Sequence, residues 1–391
     1  MPDAQTAQLG RRIGRLALLI VIIATMVQGG LRLRLWAYAA SGEFRFRGDI
    51  TNAWQQGLFV LEGAQAIQND SEPVRLGSFI KSYLGRYDQA MSESQRGTYR
   101  LDYPPARLLI MSAWAWRMEQ FARNNDLAPY DYRIVWPLLC LNALFELAGS
   151  AAAFLLVRSV LQRQGVRNAE FIALIPAALI WFNLAMIIDA HVWPQWDTWL
   201  IPFYLLAAYA AVERKWVLAG MALGFGAMFK GQMLLTMAVF ILWPLFQMRW
   251  RAVLEVAAGI LLGAMIYAAP WMVHSMGVGV CVLLFFVLLG AGFRWINPTW
   301  RPLYVASGIG VTLLIAGLFW GGSFGWWWVG FEYGSHHYMN MTMGPTPNLA
   351  AILSDGFSFG LRQELFSITP DIVVTTRSLM ITIYIAALVL C

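Results

Sequence analysis

The run of residues from 189 to 199 concentrates side chains that can do chemistry. It reads Asp-Ala-His-Val-Trp-Pro-Gln-Trp-Asp-Thr-Trp. Aromatic rings stack on the faces of a sugar while carboxylates and amides bind its hydroxyls, so the run favours a carbohydrate site. Tryptophans also collect in the interfacial belts of membrane proteins, which explains the indoles but not the acidic residues. The spacing is not that of a zinc site, and no metal is expected. The candidates here are Asp189, His191, Gln195, Trp196 and Asp197.

Two further aspartates precede stretches that can begin helices. Asp49 lies in Gly-Asp-Ile-Thr-Asn-Ala-Trp, where a carboxylate can act as a general base. The alternative is a helix cap before the apolar stretch 54–61. Asp102 and Tyr103 stand in Leu-Asp-Tyr-Pro-Pro, which equally suits the start of a helix.

The basic and amide candidates lie in three other places. The turn Phe-Lys-Gly-Gln contains Lys230, which is expected to pair with a phosphate or with one of the aspartates; the alternative is a lysine that snorkels to the membrane surface. The paired histidines near residue 336 suit a site and an exposed surface equally well. The full set is Lys230, Gln232, His336, His337, Arg32 and Arg34.

The composition excludes a water-soluble domain. Of the 391 residues, 59% are hydrophobic and 13% are charged, whereas soluble proteins contain about 25% charged residues. The net charge is +6, but the arginines stand in ones and twos between apolar runs and form no basic cluster. This distribution indicates the positive-inside pattern of a membrane protein rather than a nucleic-acid partner.

The apolar segments predict an all-α polytopic membrane protein with about 10 spanning helices in a single domain over 1–391. Segment 106–121 contains Arg107, Arg117 and Glu119, and a charge at the centre of a spanning helix costs about 2.5–3.5 kcal/mol. We therefore interpret it as an interfacial helix. The predicted spans are 16–38, 134–157, 169–188, 198–212, 216–229, 232–248, 252–273, 278–293, 303–328 and 378–391.

The charges of the short loops orient this arrangement. With the N-terminus inside and 106–121 not crossing, most loop arginines face inward. Residues 39–133 then form a long first outer loop, residues 331–377 form a late outer loop, and the candidate residues share the outer side. The last segment is too short for a bilayer core about 30 Å thick, so we expect a truncated form of a longer protein.

Four motifs in chain order resemble the GT-C membrane glycosyltransferases. They are an aspartate that opens a long first outer loop, Leu-Asp-Tyr-Pro-Pro at 101–105, Asn-Leu-Ala at 183–185 followed by Trp-Pro-Gln-Trp-Asp at 193–197, and Lys-Gly-Gln at 230–232. The resemblance covers residues 45–245. It is strongest to bacterial relatives of the GPI-mannosyltransferase type, and extends to the dolichyl-phosphate-glucose glucosyltransferases of N-glycan assembly. Pro194 and Gly231 depart from the bacterial pattern, and the late His-Glu-Lys signature of the eukaryotic enzymes is missing.

The resemblance implies an inverting enzyme that moves one hexose, mannose or glucose, from a polyprenyl-phosphate donor to a lipid-linked or other acceptor. It implies Asp49 as the catalytic base, the other candidates as substrate-binding residues, and no cofactor. It implies a bacterial cytoplasmic membrane with an outward-facing site, or an endoplasmic-reticulum membrane with a lumenal site. Two alternatives stay open. One is a secondary transporter or lipid flippase with Lys230 and Asp189 as an ion couple, and the other is a polymerase or ligase of lipid-linked glycans.

Overall fold

The computed structural model describes most of the chain up to residue 272 and short pieces beyond it. The described residues are 4–42, 47–68, 73–95, 101, 103–272, 325–333, 364–369, 372–375, 378–379 and 382. Three candidate residues, Asp102, His336 and His337, lie outside them. So do the predicted span 278–293 and most of the predicted spans 303–328 and 378–391.

The described part is predominantly helical. Its helices are α1 Ala4–Ser41, α2 Gly48–Gln68, α3 Leu76–Gln95, α4 Pro105–Asn124, α5 Tyr132–Arg163, α6 Ala169–Ile172, α7 Leu174–Trp181, α8 Leu184–Ile187, α9 Leu200–Val212, α10 Trp216–Ala227, α11 Met233–Phe246, α12 Trp250–Met272 and α13 Gly325–Trp327. A π-helical turn at Ile188–Val192 follows α8, a 3-10 turn at Asp197–Trp199 precedes α9, and a second π-helical turn at Trp328–Tyr333 follows α13. The helical fold class is confirmed at this level.

Two described helices are long and apolar enough to cross a membrane, namely the Ile13–Ser41 part of α1 and the whole of α5. Several large apolar side chains of α1, including Leu16, Ile20 and Trp36, are more than half exposed. An apolar surface of this kind suits lipid. Helices α9, α10 and α11 are shorter, and a helix of 12 to 14 residues does not cross a bilayer core alone. About ten spans and a GT-C-like arrangement stay predictions.

The predicted span at 169–188 is broken rather than continuous. The stretches Ala169–Trp181 and Leu184–Val192 meet at an angle of 40°, and together they would form a third span. Asn183 lies at the bend, where its side-chain oxygen accepts a hydrogen bond from the backbone N–H of Met186 at 3.2 Å. This cap starts α8 in a direction different from that of α7. The run at 189 to 199 therefore leaves the axis of α7 at an angle.

The region 39–133, predicted as a first outer loop, contains three helices, of which the sequence predicted α4 and gave a helix after Asp49 only as an alternative. α2 and α3 pair with each other, and α4, which corresponds to the predicted helix 106–121, packs along α2. Gly57 allows this approach, because a Cβ atom there would lie 2.5 Å from the carbonyl oxygen of Met111. The face of α4 that meets α2 and α5 buries Leu108, Met111 and Trp114. The loop is therefore a packed helical layer.

Helices α10 and α12 pack through small residues. Both contain a Gly-xxx-Gly pattern, Gly220 with Gly224 in α10 and Gly259 with Gly263 in α12. A Cβ atom at any of these glycines would overlap with backbone atoms of the partner helix. Close backbone approach through small residues is how apolar helices associate in lipid.

Two described pieces lie beyond residue 272. The segment 325–333 packs on the layer formed by α2, α3 and α4, since a Cβ atom on Gly330 would lie 3.0 Å from the Cα of Pro104. Further on, β1 Glu364–Thr369 and β2 Ile372–Thr375 pair antiparallel with Glu364 opposite Thr375. This hairpin departs from the purely helical expectation.

Candidate functional site

Asp49 and Gln195 meet across the fold. Asp49 lies in the first turn of α2, where its charge is favourable to the helix dipole. Its Oδ2 atom accepts a hydrogen bond from the side-chain amide of Gln195. The contact joins residues 146 positions apart in the sequence. Asp49 therefore lies in the first turn of a helix and also contacts the 189–199 loop.

The buried Asn142 of α5 fixes the shape of the 189–199 loop. Its Nδ2 donates to the backbone oxygens of Ala190 at 2.6 Å and Gln195 at 3.0 Å, and its Oδ1 accepts from the indole N–H of Trp199 at 2.6 Å. The Trp199 ring in turn stacks on Phe145 at 5.1 Å between centroids. Because every polar atom of Asn142 is used, the loop is held to α5 at its beginning, middle and end.

Lys230 and Asp197 form an ion pair beside this loop. Lys230 lies in the turn between α10 and α11, and its ammonium donates to Oδ1 of Asp197. Burial lowers the pKa of Lys230 below its ordinary value; Asp197 acts in the opposite direction, and the neighbouring charge of Arg107 lowers the pKa further. The Lys230 side chain is thus partly withdrawn from solvent, with 20% of its surface exposed.

Asp189 is a half-buried carboxylate at the start of the same loop. It interacts electrostatically with Asp197, Lys230, Glu146 and Asp49. Its backbone oxygen accepts from the Gln195 N–H at 2.9 Å, which closes the loop upon itself. Within the described part of the chain, Asp189 thus lies within electrostatic reach of two other aspartates and of Lys230.

Tyr103 and Trp196 flank a second cation, Arg107. The Arg107 guanidinium carbon lies 3.9 Å from the centroid of the Tyr103 ring and 4.5 Å from that of Trp196. The Tyr103 hydroxyl accepts from Asn52 at 2.9 Å, and its backbone oxygen accepts from the Tyr87 hydroxyl at 2.8 Å. The predicted residues Tyr103 and Trp196 are therefore neighbours of the same buried charge.

His191 and Arg34 take part in a separate buried network. Glu146 Oε2 accepts from Arg34 Nε at 2.6 Å and lies 3.0 Å from His191 Nε2. Arg34 also donates to the backbone oxygens of Gly30 and Trp181, both at 2.9 Å, and its guanidinium lies 3.6 Å from the Trp181 ring centroid. All three ionisable groups are at most 4% exposed. The network ties α1 to α5 and to the loop.

The remaining described candidates, Arg32 and Gln232, take no part in the contacts described above. Arg32 is exposed on α1. Gln232 is exposed at the start of α11, where its side chain caps no backbone group. Within the described ranges, no group of three or more His, Cys, Asp or Glu residues is arranged to hold a metal ion.

Three residues of the site were missed by sequence reasoning. Asn142 and Glu146 stand four positions apart in a predicted span, and polar residues inside spans mark functional positions by default. That signal was present in the sequence. Arg107 was treated as the charged start of an interfacial helix, and its burial against two aromatic rings depends on contacts that no local pattern contains.

Comparisons of this chain with protein-family models, with curated proteins and with solved structures each found no match.

Proposed function

We propose that this protein is a membrane glycosyltransferase that moves one hexose, mannose or glucose, from a polyprenyl-phosphate donor to an acceptor hydroxyl. The observation that carries the proposal is the contact between Asp49 and Gln195. It brings a carboxylate of α2 against a loop that supplies aromatic rings, two more aspartates and a lysine partner. This is a combination suited to a sugar and its leaving group.

In the proposed reaction Asp49 acts as the general base. It takes the proton of the acceptor hydroxyl, whose oxygen attacks the anomeric carbon while the bond from that carbon to the phosphate oxygen breaks. The electron pair leaves with polyprenyl phosphate, and the configuration inverts. Gln195 orients the carboxylate for this step. A positioned base of this kind contributes about 10²- to 10⁴-fold in rate.

Lys230 is proposed to stabilise the charge of the departing phosphate. Its ammonium has three N–H donors, and Asp197 uses one of them. Fixed positive charge in a partly dry site stabilises developing anionic charge more strongly than water does. Asp189 and Asp197 are proposed to bind sugar hydroxyls, with Trp196 and Tyr103 forming the aromatic wall.

The proposal includes the arrangement in the membrane. We infer about ten spanning helices in a GT-C-like fold, with the site at the outer face of a bacterial cytoplasmic membrane, or at the lumenal face of the endoplasmic reticulum. The lipid tail of the donor would then lie in the bilayer while its sugar reaches the loop at 189–199. The acceptor is lipid-linked or another glycan.

A secondary transporter is the second candidate. The 40° bend between α7 and α8 favours it, because transporters bind substrates at broken helices. In that case Lys230 and Asp189 would bind a coupling ion or proton. The ion pair between Lys230 and Asp197 supports the enzyme better, because it holds the lysine at the loop that carries the aromatic residues.

A donor panel distinguishes these functions. Membranes that contain the protein are supplied with polyprenyl-phosphate mannose, glucose or arabinose, and the extracted lipids and glycans are analysed by mass spectrometry. The proposal predicts a product heavier by one hexose. Gain of a whole repeat would indicate a polymerase or ligase. Absence of any covalent change with all donors would contradict an enzyme and favour transport.

A further inference from the structure

Arg107 is a buried cation in aromatic surroundings. Only 6% of the residue is exposed, and its guanidinium lies against the rings of Tyr103 and Trp196. The faces of these rings attract a cation, but they accept no hydrogen bond of the strength that a carboxylate or phosphate accepts. A charge buried in this way is normally paired as well.

Two hydrogen-bond donors, one on Arg107 and one beside it, lack acceptors. Arg107 Nε and the indole Nε1 of Trp196 are both buried, and neither has a hydrogen-bond partner. Asp197 and Asp49 already have partners, since Asp197 bonds Lys230 and Asp49 bonds Gln195. The described residues therefore provide no acceptor for these two donors on neighbouring side chains.

A second cation lies next to Arg107. The N–H of Ala106 donates to the backbone oxygen of Met228 at 3.0 Å, which fastens the start of α4 to the turn that carries Lys230. Arg107 is close enough to act electrostatically on the Lys230 ammonium. Two like charges repel when they are held together in partly dry surroundings, and an anion bound between them would remove this repulsion.

We propose that Arg107 and Lys230 form a binding site for a phosphate oxyanion. The planar guanidinium binds two oxygens of a phosphate at once, while the ammonium acts as a compact point charge. The positive end of the α4 dipole lies at the same place. Because α4 has 20 residues and begins at Pro105, that contribution is added to the two side-chain charges.

The position of the site relates it to the proposed transfer. Trp196, whose ring flanks Arg107, directly follows Gln195, the partner of Asp49. Resting on the proposed function, the inference assigns the phosphate of the lipid donor to Arg107 and Lys230. Departure of polyprenyl phosphate adds negative charge to the phosphate, which the two cations would stabilise.

Binding can be measured without transfer. The full chain is purified into nanodiscs of phosphatidylcholine, and its affinity for polyprenyl phosphate without sugar is compared among four proteins. These are the parent, Arg107→Gln, Arg107→Lys and the control Arg117→Gln. Arg117 lies on the same helix and is exposed. We expect Arg107→Gln to weaken binding about tenfold or more, because a charge-assisted hydrogen bond is lost. We expect a smaller loss in Arg107→Lys and no change in Arg117→Gln.

The outcomes of this experiment distinguish the possible sources of the ligand. They also distinguish failure of the phosphate site from failure of the proposed function. Competition by phosphatidylglycerol as strong as that by polyprenyl phosphate, and lost in Arg107→Gln, would identify a membrane headgroup as the ligand of the phosphate site and overturn the donor assignment. Equal affinity of the parent, Arg107→Gln and Arg107→Lys would overturn the site, whatever the transfer assay shows. Arg107-dependent binding without transfer from any donor would instead leave the site standing and contradict the proposed function. If Arg107→Gln does not fold, Arg107→Lys decides, because it keeps the charge and loses only the two-oxygen contact.

Discussion

Asp49 and Gln195 show how single side chains define the site. Asp49 lies in the first turn of α2. The sequence around it does not indicate that it contacts Gln195. The meeting depends on Asn142, which donates to the loop backbone at Ala190 and Gln195 and accepts from the Trp199 indole. A site carboxylate is thus oriented by an amide in one segment, and that amide is positioned by another in α5.

The sequence identified most residues of the cluster and predicted an aspartate as a partner of Lys230, but it did not predict the partners of Asp49 and Arg34. The aspartates, Gln195 and Lys230 stood out because polar residues are scarce in so apolar a chain. Arg34 was predicted to bind substrate, whereas in the structure it forms an ion pair with Glu146. Its pairing with Glu146 depends on the packing of α1 against α5 and α7, which periodicity alone does not specify.

The lowered pKa of Lys230 predicts a pH effect. Because burial lowers this pKa, the ammonium loses its proton at a lower pH than an exposed lysine would. Donor binding is then lost as the pH rises into the alkaline range. Arginine keeps its charge to above pH 12, so Lys230→Arg should move the alkaline fall of kcat/KM to higher pH. Identical alkaline limits in the parent and the variant would contradict the role of Lys230.

The Arg34–Glu146 pair predicts a non-additive effect on stability. Glu146→Leu leaves the Arg34 guanidinium buried without its counter-ion and should cost about 3–5 kcal/mol in the free energy of unfolding. The double variant Arg34→Met with Glu146→Leu removes both charges and should recover most of that loss. Thermal unfolding in detergent measures both. A double variant no more stable than Glu146→Leu would contradict the pairing.

At the scale of elements, regular helices were easier to predict than their interruptions. Helices α9, α10 and α11 begin and end within about two residues of the predicted apolar segments, because length and apolarity specify them. The bend at Asn183 and the π-helical turn after it were not predicted. They arise from one capping side chain and from the tertiary contacts of Asn142.

The layer of α2, α3 and α4 shows the same limit of prediction from the sequence. α2 and α3 fall in a region whose mixed polar composition gave no spanning signal, so the sequence left them as loop. Their apolar faces are covered by α4 and by one another. A helix that buries one face against a neighbour does not need a long apolar run. A search for long apolar segments therefore does not detect it.

The contact between α10 and α12 gives a paired prediction. A methyl group at Gly224 would overlap with the backbone of Ile260 in α12, whereas one at Gly85 in α3 meets nothing within 4 Å. Gly224→Ala should lower the free energy of unfolding by about 1–3 kcal/mol. Gly85→Ala should leave it unchanged or raise it by up to about 1 kcal/mol, since alanine is the better helix former. Equal effects of the two substitutions on the unfolding temperature would contradict the packing.

At the scale of the whole molecule, orientation is the main prediction that the fold does not decide. The distribution of arginines predicts that the layer of α2, α3 and α4 lies outside and the connection between α9 and α10 inside. Asn124 and Lys215 are exposed reporters of these two sides.

Cysteine labelling tests this orientation. In a background that lacks Cys140, Cys281 and Cys391, Asn124→Cys should react with an impermeant maleimide in intact cells. Lys215→Cys should react only after the membrane is opened. The reverse pattern would overturn the topology and place the site on the inner face, where a polyprenyl-phosphate donor of the outer leaflet does not reach.

The central claim concerns Asp49. The measurement is transfer of labelled sugar from polyprenyl phosphate in membranes that contain the parent or Asp49→Asn, with protein abundance and polyprenyl-phosphate binding checked in both. The amide keeps the size of the side chain but cannot accept the proton. The account predicts unchanged binding and a rate lower by about 10²- to 10⁴-fold. Transfer by Asp49→Asn at the rate of the parent would contradict it.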